Sequence, residues 1–265
     1  MTAFGVPPVR VMLWLTSVAG VLAGALAVFG RAPPLGLAVA GLALEAVIST
    51  LGVVVPALGV FGAVYARGPA GRAEVALTFD DGPNPETTPR VLALLAEHGA
   101  RATFFVIGEK VLAHAGLVQA IANAGHTVGV HGYVHDPLYA LRSRRFVTAD
   151  LERACQAVER VLGSAPALFR PPIGFVSAAV AVAAERRGLT LVGFSARTFD
   201  GVSRTPPARV LERATAALGN GAILLLHDAA ERDDRVPASL AVLPELLARL
   251  RARGLSAVTV DDLWS

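Results

Sequence analysis

Residues 74–108 read EVALTFDDGPNPETTPRVLALLAEHGARATFFVIG, and the pattern of that stretch decides the fold. An apolar run from Val75 to Phe79 stops at two acids and a Gly-Pro turn. An amphipathic stretch follows and closes on Gly99, and a second apolar run fills Ala102 to Ile107. Uninterrupted apolar runs of this length suit strands buried on both faces, and a helix between two of them makes the pairing parallel. A glycine directly after the last apolar turn is a helix stop. The alternation recurs down the chain. Strand-like runs TVGVHG (127–132), ALFRPP (167–172), TLVGFSA (190–196), AILLLHD (222–228) and SAVTVDDL (256–263) are separated by helix-like ones that close on glycines such as Gly125, Gly163, Gly188 and Gly254. Seven alternations over residues 74–265 predict an α/β fold of the distorted (β/α)7-type barrel class.

In such folds chemistry gathers at the C-terminal ends of the strands. Asp80 and Asp81 stand at the first of them. Adjacent carboxylates repel and raise each other's pKa unless a positive charge lies beside them, although Asp-Gly-Pro is also ordinary turn chemistry. Titratable residues recur at the other strand ends: His131 with His135, Arg170 before Pro171-Pro172, Arg197 and Asp200, and His227-Asp228. Two histidines four apart stand about one helical turn from each other, near enough to hold one ion. With one carboxylate they make a two-His-one-Asp face that leaves coordination positions open. An ion would offset the repulsion between the acids, one of them ligating and the other free as a base for water.

These residues resemble the NodB-homology polysaccharide deacetylases, metal-dependent enzymes that remove N-acetyl groups from sugars. The likeness spans residues 74–263 and runs through the family's motifs in order. Thr78-Phe79-Asp80-Asp81-Gly82-Pro83 matches the first, implying Asp80 as general base and Asp81 as metal ligand. The second, His-Ser/Thr-x-x-His, is present as His131-Gly132-Tyr133-Val134-His135, implying both histidines as ligands, with Gly132 in the hydroxyl position. The third is Arg170-Pro171-Pro172-Ile173-Gly174; it implies Arg170 as the group that orients the base, and the backbone N–H of Ile173, where Tyr is common, as oxyanion donor. The fourth departs most. Arg197-Thr198-Phe199-Asp200-Gly201 replaces Asp-x-x-Asp-Trp, so Asp200 is implied to hold the catalytic histidine while Arg197 and Gly201 replace the first Asp and the Trp. The fifth, Leu224-Leu225-Leu226-His227, implies His227 as general acid. The departures fall on the substrate wall, where Arg197 suits phosphate or carboxylate. Tyr133 and Phe175 either line the groove or pack. The implied cofactor is one divalent metal ion, zinc first, with Co2+, Ni2+ or Fe2+ also suited to these ligands.

The remaining quarter of the chain has another texture. Hydrophobic residues make up 54% of the protein and charged ones 17%, and the excess lies at the N-terminus. Residues 11–30 carry no charge and residues 32–66 only Glu45, so two membrane helices are expected at about 11–30 and 36–58. Residues 1–67 then form a membrane region, 68–73 a linker, and 74–265 the deacetylase domain. A secretory signal with a cleavage site near Ala25-Leu26-Ala27 is the competing reading. Glu45 is costly in lipid and is expected to face the partner helix. Arg10, Arg67 and Arg72 against Arg31 favour a multi-pass protein of a bacterial-type inner membrane with both termini, and the catalytic domain, on the cytoplasmic side. The net charge of +3 comes from scattered arginines without aromatic interleaving, which excludes a nucleic-acid partner. A single cysteine, Cys155, excludes an intrachain disulfide.

The reading is therefore a membrane-anchored, metal-dependent hydrolase that removes an N-acetyl or similar short acyl group from an amino sugar of an envelope polysaccharide or lipid-linked glycan. Two rivals use the same residues. One is a deformylase or O-deacetylase, and the other a catalytically inactive glycan-binding membrane protein. Nothing in the sequence indicates an oligomeric state.

Overall fold

The computed structural model describes residues 7–201, 205–232 and 234–265. Helices α1 (Pro8–Val28) and α2 (Leu35–Val54) pack as a hairpin. Both are long and apolar enough to cross a membrane, a property that a signal sequence near the N-terminus would share. Of their described residues only Ile48 and Gly52 are buried by the protein itself. Glu45 does face the partner helix, where Ser17 Oγ donates to its carboxylate at 2.8 Å. Helix α2 ends at Val54 rather than at 58, because Pro56 disfavours helical geometry at Val55, whose φ is −122°.

The rest of the chain alternates as the apolar runs foretell. In order come β1 (Val64–Tyr65), β2 (Glu74–Asp80), α3 (Thr88–Glu97), β3 (Thr103–Val106), α4 (Gly108–Ala113), α5 (Ala115–Asn123), β4 (Thr127–Val130), α6 (Arg144–Leu162), β5 (Leu168–Phe169) and α7 (Ala178–Arg186). Then follow β6 (Thr190–Val192), β7 (Ala196–Arg197), α8 (Pro207–Ala217), β8 (Ala222–His227), α9 (Ala238–Ala252), β9 (Ser256–Val258) and α10 (Val260–Trp264). The strands pair in parallel in the order β1-β6-β5-β4-β3-β2-β8-β7. β2 is the hub. Val75 to Asp80 pair with β8, while Glu74–Ala76 pair with β9 and Thr78–Asp80 with β3. The sheet curls because residues 193–195 cross from β6 to β8: Gly193 N–H donates to Tyr65 C=O and Ser195 N–H to Ile223 C=O, both at 2.9 Å. This is the distorted barrel expected from the sequence. β1 has no counterpart in the apolar runs, and the run 190–196 divides into β6 and the start of β7; β1 and β7 have two residues each. Because β1 pairs with β6, the sheet begins ahead of the Gly-Pro segment at 68–73.

Strand side chains alternate between faces. Val75, Leu77, Phe79, Phe104, Val130, Leu224 and Leu226 belong to the main core between sheet and helices. Ala76, Phe105, Leu168, Val192 and Ile223 fill a second core inside the barrel, with Val260 and Leu263 of α10. Thr78, Asp80, His131, Arg170 and His227 share the parity of this inward set. The barrel interior is thus apolar below and polar at its C-terminal rim.

Candidate active site

β2 sets the first carboxylate. Asp80 is in register with His227 of β8, so both face the barrel mouth side by side. Asp81 would point the other way in a continued strand, but its φ of 73° breaks the pleat, a conformation Asp tolerates. Its carboxylate comes round to the same side: Asp81 Oδ1 is 3.5 Å from His131 Nε2 and 3.4 Å from His135 Nε2. Ile173 (φ 63°) and Phe199 (φ 61°) are the other non-glycine residues with positive φ among the described residues, and both line this mouth. A left-handed β-branched residue is strained, which marks Ile173 as held there by its surroundings.

Arg170 lies entirely out of solvent on the Phe105 ring, 4.3 Å from its centroid. It donates to Asp80 Oδ1 and Thr78 Oγ1 at 2.7 Å each, to Gly193 C=O at 2.8 Å and to Val192 C=O at 3.3 Å. Thr78 in turn donates to Leu224 C=O. Burial pulls the guanidinium below its usual pKa, against the opposing pull of Asp80. The result is a carboxylate at Asp80 whose orientation is fixed by a cation on one side, leaving its other oxygen toward the cavity.

His227 is gripped twice by Asp200. Its backbone N–H donates to Oδ2 at 2.8 Å, and its ring Nδ1 lies 2.9 Å from Oδ1, which also accepts from Thr198 Oγ1. Burial alone would lower the imidazole pKa, but the Asp200 charge and hydrogen bond, helped by Asp81 and Asp80, push it up to about 9. Burial would likewise raise the Asp200 pKa, and the His227 charge with three hydrogen bonds brings it below the ordinary carboxylate value. Gly201 lies over this ring: a Cβ there would stand 3.0 Å from Cε1, a tight contact from which the ring would have to shift by a few tenths of an ångström.

The metal question turns on three ligands. Asp81, His131 and His135 each offer one atom, and these lie within 4.8 Å of one another. His131 Nδ1 is 2.7 Å from Arg170 C=O and must donate to it, so Nε2 presents its lone pair toward Asp81. Burial, outweighing Asp80 and Asp81, lowers the His131 pKa and keeps it neutral. Asp81 Oδ1 is buried without a hydrogen-bond partner. Lone pairs turned on one another at this range repel unless a cation lies among them. Ligands about 2.0–2.2 Å from one tetrahedral ion stand about 3.4 Å apart, the separation seen here. The residues present fit a divalent metal. The histidines do not share a helix, however. They lie on the loop after β4, which Asp150 of α6 secures by accepting from the N–H groups of Tyr133 and Val134 at 2.8 and 3.1 Å. Gly132 in that loop has φ 81°, and a Cβ would meet Asp150 Oδ2 at 3.1 Å.

Asp80, Asp81, His131, His135, Ile173, Arg197 and His227 all line a mouth cavity of about 200 Å³. Arg170 and Asp200 support it from below. Tyr133 and Phe175 do not line it: Tyr133 packs under the Arg153 guanidinium, 3.8 Å from its ring centroid, and Phe175 lines a neighbouring cavity against the end of α2. Three lining residues carried no sequence motif that would have placed them here: Phe194, Glu231 and Arg235. With Gly174, Phe199, Gly201 and Leu225 of the motifs they complete the lining, and Glu231 Oε2 reaches 3.5 Å from His135 Nδ1. Asp228, one residue past His227, was visible in the sequence without a role. It is buried, accepts from Thr88 Oγ1 and crowds Gly82, where a Cβ would lie 2.3 Å from its Oδ2. Burial, countered by Thr88 and reinforced by Asp81, pushes its pKa up to about 7.

With the geometry in hand, similar proteins can be placed beside it. The family model described as "Polysaccharide deacetylase" matches residues 67–192. The peptidoglycan-N-acetylglucosamine deacetylase PgdA of Listeria monocytogenes is 36% identical over 190 residues, which is 72% of this chain but only 38% of that protein. A peptidoglycan-N-acetylglucosamine deacetylase of Bacillus cereus is 35% identical over 192 residues, covering 71% of this chain and 87% of the relative. The solved peptidoglycan deacetylase PdaC of Bacillus subtilis superposes with a TM-score of 0.64 at 28% identity, over 74% of this chain and 91% of that one. A barrel rim that gathers carboxylates and histidines from separate strand ends, together with a relative matched over nearly its whole length, shows that the chain belongs to the polysaccharide deacetylase family.

Proposed function

We propose that the protein is a metal-dependent amidohydrolase that removes an N-acetyl or similar short acyl group from an amino sugar. The observation that carries this reading is the convergence of Asp81, His131 and His135 beside two groups already held for proton transfer, Asp80 on Arg170 and His227 on Asp200. Asp81, His131 and His135 would hold a divalent ion, zinc in our reading, whose Lewis acidity would act on the amide carbonyl and the attacking water. Asp80 accepts the proton from that water, its free oxygen turned into the cavity. Arg170 keeps Asp80 in this orientation and its charge balanced. The Ile173 backbone N–H is assigned the developing oxyanion, a role that a Tyr-to-Ile change leaves intact. His227, protonated at neutral pH, delivers its proton to the departing amine nitrogen, and Asp200 holds the ring for that transfer. Products are a free amino sugar and a short carboxylic acid.

The α1–α2 hairpin is read as a membrane anchor for this domain. Arg10 donates to Gly59 C=O and Val60 C=O, so the chain entering α1 is tied to the chain leaving α2, on the side of the catalytic domain. The arginine distribution favours the cytoplasmic side, and a fluorescent reporter fused after Ser265 that matures in the cytoplasm would support that topology. Acetate release from N-acetylglucosamine oligomers by the purified full-length protein, abolished by chelator and restored by zinc, is the expected result for the reaction. Folded protein that binds no divalent metal would overturn it.

A further inference from the structure

A second cavity, of about 270 Å³, adjoins the first, and Ile173, Gly174, Phe194 and Arg197 line both. Its far side is the end of the membrane-length helix α2 and the turn beyond it, at Val54, Val55 and Ala57. That end is fastened to the site wall, since Val176 N–H, three residues past Ile173, donates to Val53 C=O at 3.2 Å. Arg197 stands between the two cavities. Its guanidinium donates to Ile173 C=O at 2.8 Å and faces the Phe194 ring at 5.1 Å, half-buried and with no ion-pair partner among the described residues. Otherwise the second cavity is walled by aliphatic, aromatic and glycine residues.

A half-buried cation with no ion-pair partner among the described residues, between a polar cavity and an apolar one at the end of a membrane-length helix, selects its ligand by chemistry. The complement is an anion bearing a sugar on one side and a hydrocarbon chain on the other. We propose that the substrate is an amino sugar joined through phosphate to a membrane lipid. The sugar occupies the Asp80–His227 cavity, the phosphate sits at Arg197, and the first segment of the lipid lies against Val54 to Ala57. A neutral polysaccharide would leave both the charge and the apolar cavity without a partner. This assignment deepens the amidohydrolase reading and rests on it.

Full-length protein in phosphatidylcholine nanodiscs tests it without turnover. Farnesyl phosphate should bind at least about tenfold more tightly than either farnesol or inorganic phosphate, since each of those lacks one of the two contacts. Ala57→Trp, which fills the apolar cavity from an exposed position, and Arg197→Gln should each weaken farnesyl phosphate by about tenfold or more, with Val54→Trp as an independent second filling change. Affinity that is equal for farnesol, or unmoved by either filling change, overturns the proposal. Turnover separates the two levels. Acyl release should favour prenyl-diphosphate-linked N-acetylglucosamine over the lipid-free sugar phosphate, and Ala57→Trp should collapse that ratio. Equal hydrolysis of both substrates sinks the lipid assignment and leaves the reaction standing. Farnesyl phosphate binding with no acyl release from any metal-loaded sample sinks the reaction and leaves the lipid-phosphate site standing.

Discussion

Asp80 and Asp81 are neighbours in the chain with separate surroundings, and one backbone angle divides them. Asp80 keeps strand geometry and takes its orientation from Arg170, whereas Asp81 turns at φ 73° toward the histidines. Asp80→Asn should therefore lower kcat by about 10²–10⁴ while metal content stays stoichiometric. Loss of metal in that variant would make Asp80 a ligand instead. His227 carries the second test. Its pKa of about 9 is the sum of burial, which lowers it, and Asp200, which raises it more. A group of raised pKa keeps its proton below that value and loses it as pH climbs through it. An acid of this kind thus fails on the alkaline side. Asp200→Asn removes the raising charge and leaves the burial, so the alkaline limb of the kcat–pH profile should move to lower pH. A limb that does not move belongs to another group.

At the scale of elements, the site is braced from outside the barrel as well as within. α6 sends Asp150 into the loop after β4, where its two accepted N–H bonds set the positions of both histidines. Asp150→Ala should weaken metal binding by about 10- to 100-fold in chelator competition, the usual scale for supports of metal ligands. Ligands held by the strands alone would show no change. β5 contributes Arg170, whose removal strands Asp80 as a buried carboxylate without its cation. Arg170→Met should cost about 3–5 kcal/mol in chemical denaturation. Adding Asp80→Asn should recover part of that loss, and a double variant no more stable than the single would rule out the buried pair as its cause.

For the whole molecule, the boundary between hairpin and barrel lies earlier than the Gly-Pro segment suggests. β1 pairs with β6, Arg67 bridges to Ala222, and Gly68 N–H donates to Gly221 C=O at 2.8 Å. A truncation beginning at residue 70 discards all three. It should melt about 2–8 °C below one beginning at residue 62, the shift expected for one to two kcal/mol in a domain of this size. Equal melting temperatures would make β1 a dispensable edge. The hairpin also contributes to the shape of the site region, because the end of α2 walls the second cavity.

The amino-acid sequence determined by itself seven of the strands, their helices and their parallel sense, because periodicity and glycine stops are local properties that survive without tertiary contacts. It also determined the chemistry of the rim, since Asp80, His131, Arg170 and His227 occur at strand ends and share the parity of the barrel interior. β1 and β7 had no apolar run of their own to read, unlike β5, which is equally short but lies within ALFRPP; they form where the curling sheet offers them partners. The spacing of His131 and His135 suggested a helical turn, yet a loop held by Asp150 brings their rings to 5.2 Å between centroids. Tyr133 and Phe175, open to two readings in the sequence, do not line the mouth cavity, whereas Phe194, Glu231 and Arg235 enter it from segments without a motif. Tertiary structure alone decided those places, for a cavity wall is made by side chains far apart in the chain, and only the closure of the barrel fixes which of them meet.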